Sequence, residues 1–176
     1  MVKYSVFLIN PQEYNIRGAL KGLMNNELDF LLLKDLHDVG KDVPELKIGD
    51  KVYLYITGQG VCAKATVMGN IIDISIEVQY KEEAEKFWKG NSFEEACAQC
   101  NCKFVPIRLE RVAPVIDDRL LCYTDAYLTY NNEMENKQHY IITDEVAAHI
   151  DYSLEDLEYE ELIAGDTGED WDNVVE

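Results

Sequence analysis

The sequence is short of cations. Its 16 Lys and Arg stand against 34 Asp and Glu, a formal net charge of −18. Phosphate-backbone binding draws mainly on Lys and Arg charge, so this balance excludes a high-affinity, sequence-blind nucleic-acid coat. It leaves room for reading a single base or a small ligand in a pocket. Long apolar runs are also lacking. Stretches such as Val6–Ile9 and Phe30–Leu33 are far too short to span a bilayer. The opening MVKYSVFLIN has neither the apolar segment nor the cleavage site of a secretory signal. A cytoplasmic protein with no membrane partner is expected. No Gly-rich phosphate loop, nucleophile elbow or paired-carboxylate signature occurs, so the expectation is a non-enzyme that needs no cofactor.

A disulfide framework is excluded on similar grounds. The 5 cysteines are odd in number and unevenly spaced, which suits reduced thiols. Cys97, Cys100 and Cys102 crowd together, but a structural zinc site needs four ligands. Beyond them in the chain follow isolated Cys122, His139 and His149. Cys97 and Cys100 fit better as small apolar fillers on a helix, and no metal is expected. His37 and His139 read as lone residues of polar segments.

What is present is centred on Leu46–Met68, LKIGDKVYLYITGQGVCAKATVM. Gly49-Asp50 signals a turn. Beyond it Val52, Leu54 and Ile56 alternate with Lys51, Tyr53, Tyr55 and Thr57. Gly58-Gln59-Gly60 can supply the positive φ of a tight loop. A second alternating run sets Val61, Ala63, Ala65 and Val67 opposite Cys62, Lys64, Thr66 and Met68. This is a β-hairpin with one aliphatic face and one tyrosine-bearing face.

Before the hairpin, Tyr4–Ile9 reads as a central strand stopped by Asn10-Pro11. Ile16, Ala19, Leu20 and Leu23 share a helical face. Asp29–Leu36 is too short an apolar run to separate strand from helix, and Asp38–Leu46 reads as turn or short helix. After the hairpin, Ile72, Ile74, Ile76 and Val78 alternate as a third strand. Lys81–Lys89 then reads as an exposed helix. Ser92 followed by Glu95 predicts a capped helix to about Cys100. Strands follow at Phe104–Val112, Leu120–Tyr130 and Tyr140–Ile142, and Thr143 can cap a helix through Ile150.

Charge divides the chain where composition does not. Residues 151–176 hold 11 acidic groups and no Lys or Arg, so the other 23 acidic and all 16 basic groups leave residues 1–150 at −7. One domain over 1–150 with an acidic tail at 151–176 is expected.

Three ordered stretches resemble the EVE domain of the PUA-like group. They are FLINPQEYNI (Phe7–Ile16), LKIGDKVYLYITG (Leu46–Gly58) with its Gly-Asp-x-Val-x-x-Tyr strand, and VPIRLERVAPV (Val105–Val115) with Pro-x-Arg. ITDEVAAHI (Ile142–Ile150) is similar to the helix that closes such domains. The order and spacing agree over residues 4–150. The sequence departs from the family at Val6-Phe7 and Tyr14, where tryptophans are usual, and over Leu23–Val43. The resemblance implies an α+β fold, a strongly bent mixed sheet or partial β-barrel with helices packed over it. It also implies a pocket near the end of the first strand, of the kind related domains use for a modified base.

A base in such a pocket is held by aromatic stacking and by hydrogen bonds to its polar edge. Asn10 can donate and accept, Tyr14, Tyr53 and Tyr55 offer rings, and Thr57 offers a hydroxyl. Arg108 lies among the clustered cations Lys103, Arg108, Arg111 and Arg119. Each has a plainer alternative: Asn10 as a strand stop, the tyrosines packed under a helix, Arg108 in a salt-bridged surface with Glu110 and Asp117. The function implied is a non-enzymatic module for a modified nucleobase or nucleotide, in RNA or DNA. The competing reading is an acidic adaptor whose tail docks on a basic protein. That tail can compete with phosphate for the clustered cations, or lie on the body through Leu154, Leu157 and Leu162.

Overall fold

The computed structural model describes residues 1–36, 45–113, 115–116, 119–120 and 139–163, the side chains of 115–116, 119–120 and 156–163 excepted. The strands are β1 (Tyr4–Ile9), β2 (Leu31–Lys34), β3 (Lys51–Ile56), β4 (Gly60–Val67), β5 (Ile72–Asp73), β6 (Lys103–Val112), β7 (Val115–Ile116), β8 (Arg119–Leu120) and β9 (His139–Ile142). The helices are α1 (Ile16–Met24), α2 (Lys81–Glu85), α3 (Ser92–Cys100) and α4 (Asp144–Ile163). The main sheet runs β2-β6-β4-β3-β1-β9, with β5 added to β6 and β7 paired with β8 apart. It is mixed: β1 and β3 are parallel and its other pairs antiparallel. This is the expected α+β architecture.

The expected hairpin is β3 and β4. Gly58 and Gly60 have φ of +80° and +124°, and the Gln59 N–H closes the turn on the Ile56 carbonyl at 2.9 Å. Val52, Leu54 and Ile56 are buried as the alternation requires, but Tyr53 and Tyr55 are buried too. The reason is that both faces are covered: Leu54 shares the core with Ile16, Ala19 and Leu20 of α1, and the Tyr53 hydroxyl reaches Ala147 and Asp151 of α4. The register shifts between Leu54 and Tyr55, so Val61 pairs with Tyr55 and leaves the row of Ala63, Ala65 and Val67.

One face of the sheet carries Phe7, Leu54, Ala65 and Ile107, which share the main core with Ile16, Ala19 and Leu20 of α1. The ambiguous Asp29–Leu36 run is strand β2. Leu31 and Leu33 join that core, while Leu32 and Phe104 belong to a second cluster with Phe93 of α3 and Ala84 of α2. Burial on both faces is why the run shows no alternation.

Three expectations fail locally. The strand begun at Ile72 ends at Asp73, whose carboxylate accepts from the Ser75 N–H at 2.9 Å and the Ser75 hydroxyl at 2.5 Å. Such a local turn outcompetes the ladder, and leaves Ile76 and Val78 77% and 66% exposed. Ser92 does not cap α3; its hydroxyl donates to the carbonyls of Glu13 and Lys89. The helix expected over Lys81–Lys89 stops at Glu85, because the next residues pair with the chain after β1.

At the other end, Thr143 accepts from the Val146 N–H at 3.2 Å and starts α4 as expected. The helix does not end at Ile150 but runs on to Ile163. Ala147, Ile150 and Leu154 lie in the main core, so the first residues counted as tail are anchored to the body. Of the expected strand Leu120–Tyr130 only Leu120 is described, at the end of β8; residues 121–130 and 38–44 and the side chains of Leu157 and Leu162 lie outside the described part.

Candidate functional site

The densest polar cluster lies on the tyrosine-bearing face of β3, β4 and β6. Cross-strand pairing sets Lys51 beside Thr66, Tyr53 beside Lys64 and Thr66 beside Arg108. A register shift then pairs Lys64 with Arg111 while Ala65 pairs with Leu109, leaving Glu110 as the extra residue of a bulge. Bulges re-aim side chains. Here the bulge lets Glu110 and Arg111, adjacent in sequence, both serve this face.

The contacts form one network. Lys51 Nζ donates to Thr66 Oγ1 at 2.8 Å, and both contact Glu110 Oε1. Lys64 Nζ pairs with Asp151 Oδ2 at 3.0 Å and lies 4.0 Å from Glu110 Oε2. The Tyr53 hydroxyl donates to Asp151 Oδ1 at 2.7 Å. The rings of Tyr4 and Tyr53 stack with centroids 6.5 Å apart and planes at 23°. Lys64 Nζ sits 5.8 Å from the first ring and 5.6 Å from the second, a cation–π arrangement. One turn beyond Asp151, Glu155 reaches Arg111 Nη1 at 3.3 Å.

These surroundings set the charges. Partial burial pushes the Glu110 carboxyl up, but hydrogen bonds from Lys51 and Thr66, with the charges of Lys51 and Lys64, outweigh it and hold it below its ordinary value. Burial pushes the Tyr53 hydroxyl well above the usual tyrosine range, and the bond to Asp151 adds to this. Tyr53 is therefore a neutral donor. The network combines two rings, two ammonium groups, an arginine, the hydroxyls of Tyr53 and Thr66 and acidic acceptors on one face. It can stack a planar ring, answer its polar edge and attract an anion.

The six residues singled out from sequence divide between two places. Tyr53 belongs to this network, and exposed Arg108 borders it beside Thr66. Asn10, Tyr14, Tyr55 and Thr57 gather instead at the carboxyl ends of the parallel strands β1 and β3. There Asn10 Oδ1 accepts from the Gln12 N–H at 2.9 Å, and its carbonyl accepts from Glu13 and Tyr14. Thr57 donates to the Ile9 carbonyl at 3.1 Å. Tyr14 is buried edge-on against Trp88 at 5.0 Å and 79°, and burial raises its hydroxyl pKa. Tyr55 is buried between Leu8 and Val61.

Sequence reasoning did not single out Tyr4, Lys51, Lys64, Thr66, Glu110 or Asp151 as site residues. The alternation of β3 and β4 did put Lys51, Tyr53, Lys64 and Thr66 on shared faces, which was the usable signal. Asp151 lies 98 positions from Tyr53, and no local pattern links them.

A separate cavity of about 600 Å³ opens between the loop after β5 and the start of α3, its walls including Ile74, Val78, Phe93, Cys97 and Cys102. Burial, with neighbouring Cys102 and Cys100, pushes the Cys97 thiol up to about 12, and burial pushes Cys100 up to about 11. The described cysteines 62, 97, 100 and 102 are free thiols, and no metal-holding group of His, Cys, Asp or Glu occurs among the described residues. No described helix is long and apolar enough to cross a membrane.

No protein-family model and no curated protein matches the sequence. Solved structures do match in fold. A serine-to-alanine point mutant of ASCH from Zymomonas mobilis aligns at 13% identity over 84% of this chain and 93% of that one, with a TM-score of 0.51. A hypothetical protein from Leishmania major aligns at 12% identity over 90% and 98%, with a TM-score of 0.50. Human THYN1 in complex with DNA containing 5-methylcytosine aligns at 11% identity over 87% and 96%, with a TM-score of 0.43. The chain shares the fold of the ASCH and Leishmania structures, the fold that the resemblance to PUA-like domains implied. In this fold the polar network occupies the sheet face under α4.

Proposed function

We propose that this PUA-like domain is a non-enzymatic binding module for a modified nucleobase or nucleotide, carried in RNA or DNA, at the β3–β4–β6 face. The observation that carries the reading is the stacked Tyr4–Tyr53 pair with Lys64 over both rings, beside Thr66 and Glu110. Tyr4 is only half-buried, so its ring can extend the stack to an incoming base. Thr66 and Glu110 supply a donor and acceptors for its polar edge. Arg108 and Arg111 provide the cations that a phosphate needs, and local cations suffice for one nucleotide where the net charge forbids a long coat.

The Thr66–Lys51–Glu110 trio invites a hydrolytic reading, since a hydroxyl, an ammonium and a carboxylate meet there. A general base works best with a pKa near the working pH. Glu110 is held below even its ordinary value, which disfavours it as a base and supports binding without chemistry.

The test is fluorescence anisotropy with short single strands, plain or carrying one methylated cytosine or adenine. Tyr4→Leu keeps an apolar side chain at the strand while removing the ring. Loss of one stacked ring, at about 1–3 kcal/mol, corresponds to roughly five-fold weaker binding or more. Equal affinity for modified and plain strands would sink the base-reading assignment. A second reading, an acidic protein adaptor, is favoured by the exposure of Ile76 and Val78. It predicts no oligonucleotide binding in any variant.

A further inference from the structure

We propose that Arg111 is the phosphate subsite of this face, and that Glu155 of α4 is a built-in competitor which a nucleotide phosphate must displace. The inference rests on the base-binding reading and adds how that site is restrained. Arg111 Nη1 and Glu155 Oε1 are 3.3 Å apart, and the Glu155 side chain is 60% exposed. Asp151, by contrast, is held by both the Lys64 ammonium and the Tyr53 hydroxyl. The two carboxylates stand one helical turn apart and meet neighbouring cations of one sheet face. The inner one is pinned and the outer one is free to swing.

The helix itself does not need to move. Ala147, Ile150 and Leu154 fix it in the core at no more than 1% exposure each. It is the Glu155 side chain that must turn into solvent, and a solvent-exposed ion pair is weak. A phosphate offers Arg111 the bidentate geometry its guanidinium favours. Arg108 on the same strand and Lys64 across the bulge reinforce it, while Glu110 faces the same space and disfavours anions that lack a base to anchor them. The arrangement makes the face selective: a bare anion meets carboxylates, and a nucleotide gains stacking that offsets displacing one of them.

Truncating the chain from residue 153 would remove Leu154 from the core, so charge-neutral point variants are the proper probe. Anisotropy titrations with plain and methylated single strands, across salt, compare the full chain with Glu155→Gln, Glu145→Gln and the double variant Glu155→Gln/Arg111→Gln. Glu145 lies exposed in the first turn of the same helix, so its variant makes the same change in net charge. Glu155→Gln is expected to tighten binding about two- to five-fold at low salt. It should also steepen the salt slope by up to about 0.7, because one carboxylate no longer offsets the charge that Arg111 brings to the strand. Glu145→Gln should do neither, and the double variant should lose the gain. Equal effects of Glu155→Gln and Glu145→Gln, or none from Glu155→Gln, overturn the competitor. Discrimination between methylated and plain strands in the full chain is read separately, so the base-reading assignment can stand when the competitor falls, and the reverse.

Discussion

His139 makes folding stability depend on mildly acidic pH. Its ring is buried on β9, with Nε2 2.8 Å from the Ser5 hydroxyl and the Phe7 ring 5.7 Å away. Burial disfavours the imidazolium and pushes the His139 pKa down to about 4. In the unfolded chain the group titrates near its ordinary value of about 6.5. Above that value both states are neutral and the full stability is present. As the pH falls below about 6.5, the unfolded chain binds a proton that the folded chain refuses, and stability drains away until the pH approaches the folded value. Between about pH 7.5 and pH 5 the linkage relation gives a loss of about 2 kcal/mol from this one side chain. Urea melts of the intact chain and of His139→Gln at the two pH values isolate it, since every other titrating group is common to both. The variant's loss should be smaller by about 2 kcal/mol, and the ring should titrate near 4 by NMR. Equal losses in the two chains, or an imidazole midpoint near the ordinary value of about 6.5, would refute the reasoning.

Other outcomes follow from packing and capping. Leu54→Ala, fully buried between β1 and β4, should cost about 2–5 kcal/mol in urea melts. Lys51→Ala breaks a half-exposed ion pair and should cost no more than about 1 kcal/mol, with the Glu110 titration moving upward by NMR. Buried Asp50 accepts from the Lys3 N–H at 3.0 Å and the Lys47 N–H at 2.9 Å. Asp50→Ala leaves both donors without these partners and should cost about 1–3 kcal/mol in thermal melts, with Asp50→Asn milder. Cys97, its thiol pushed up to about 12, should react with a thiol-exchange reagent far more slowly near neutral pH than after unfolding.

The elements most legible in the sequence were those whose signals are local. Tyr4–Ile9, Ile16–Met24 and the hairpin around Gly58-Gln59-Gly60 carry their own periodicity or turn chemistry, and they appear within a residue of expectation. Misreadings arose where distant partners intervened. Tyr53 and Tyr55 looked half-exposed because alternation cannot reveal a helix arriving from residue 144 onward. The Ile72–Val78 alternation was a strand pattern overridden by one Asx turn at Asp73. His139 read as polar because Asn136, Lys137 and Gln138 precede it, whereas its neighbours in space are Ser5 and Phe7. The candidate site was half legible: the faces of β3 and β4 were readable, but the bulge that brings Glu110 and Arg111 together, and the helix that delivers Asp151, were not.

The strand order also governs when the molecule can assemble. β1 is interior, flanked by β3 on one side and β9 on the other, with Tyr4 paired to both Lys51 and Ile142. On the ribosome the first strand emerges long before its second neighbour exists. At roughly 5–20 residues per second, an apolar strand edge waits on the order of ten seconds for β9. Contacts so distant in sequence also slow the search for the native register. The acidic charge comes too late to shield that edge: residues 151–176, which carry −11 of the −18, are made only after residue 142 has arrived and closed it.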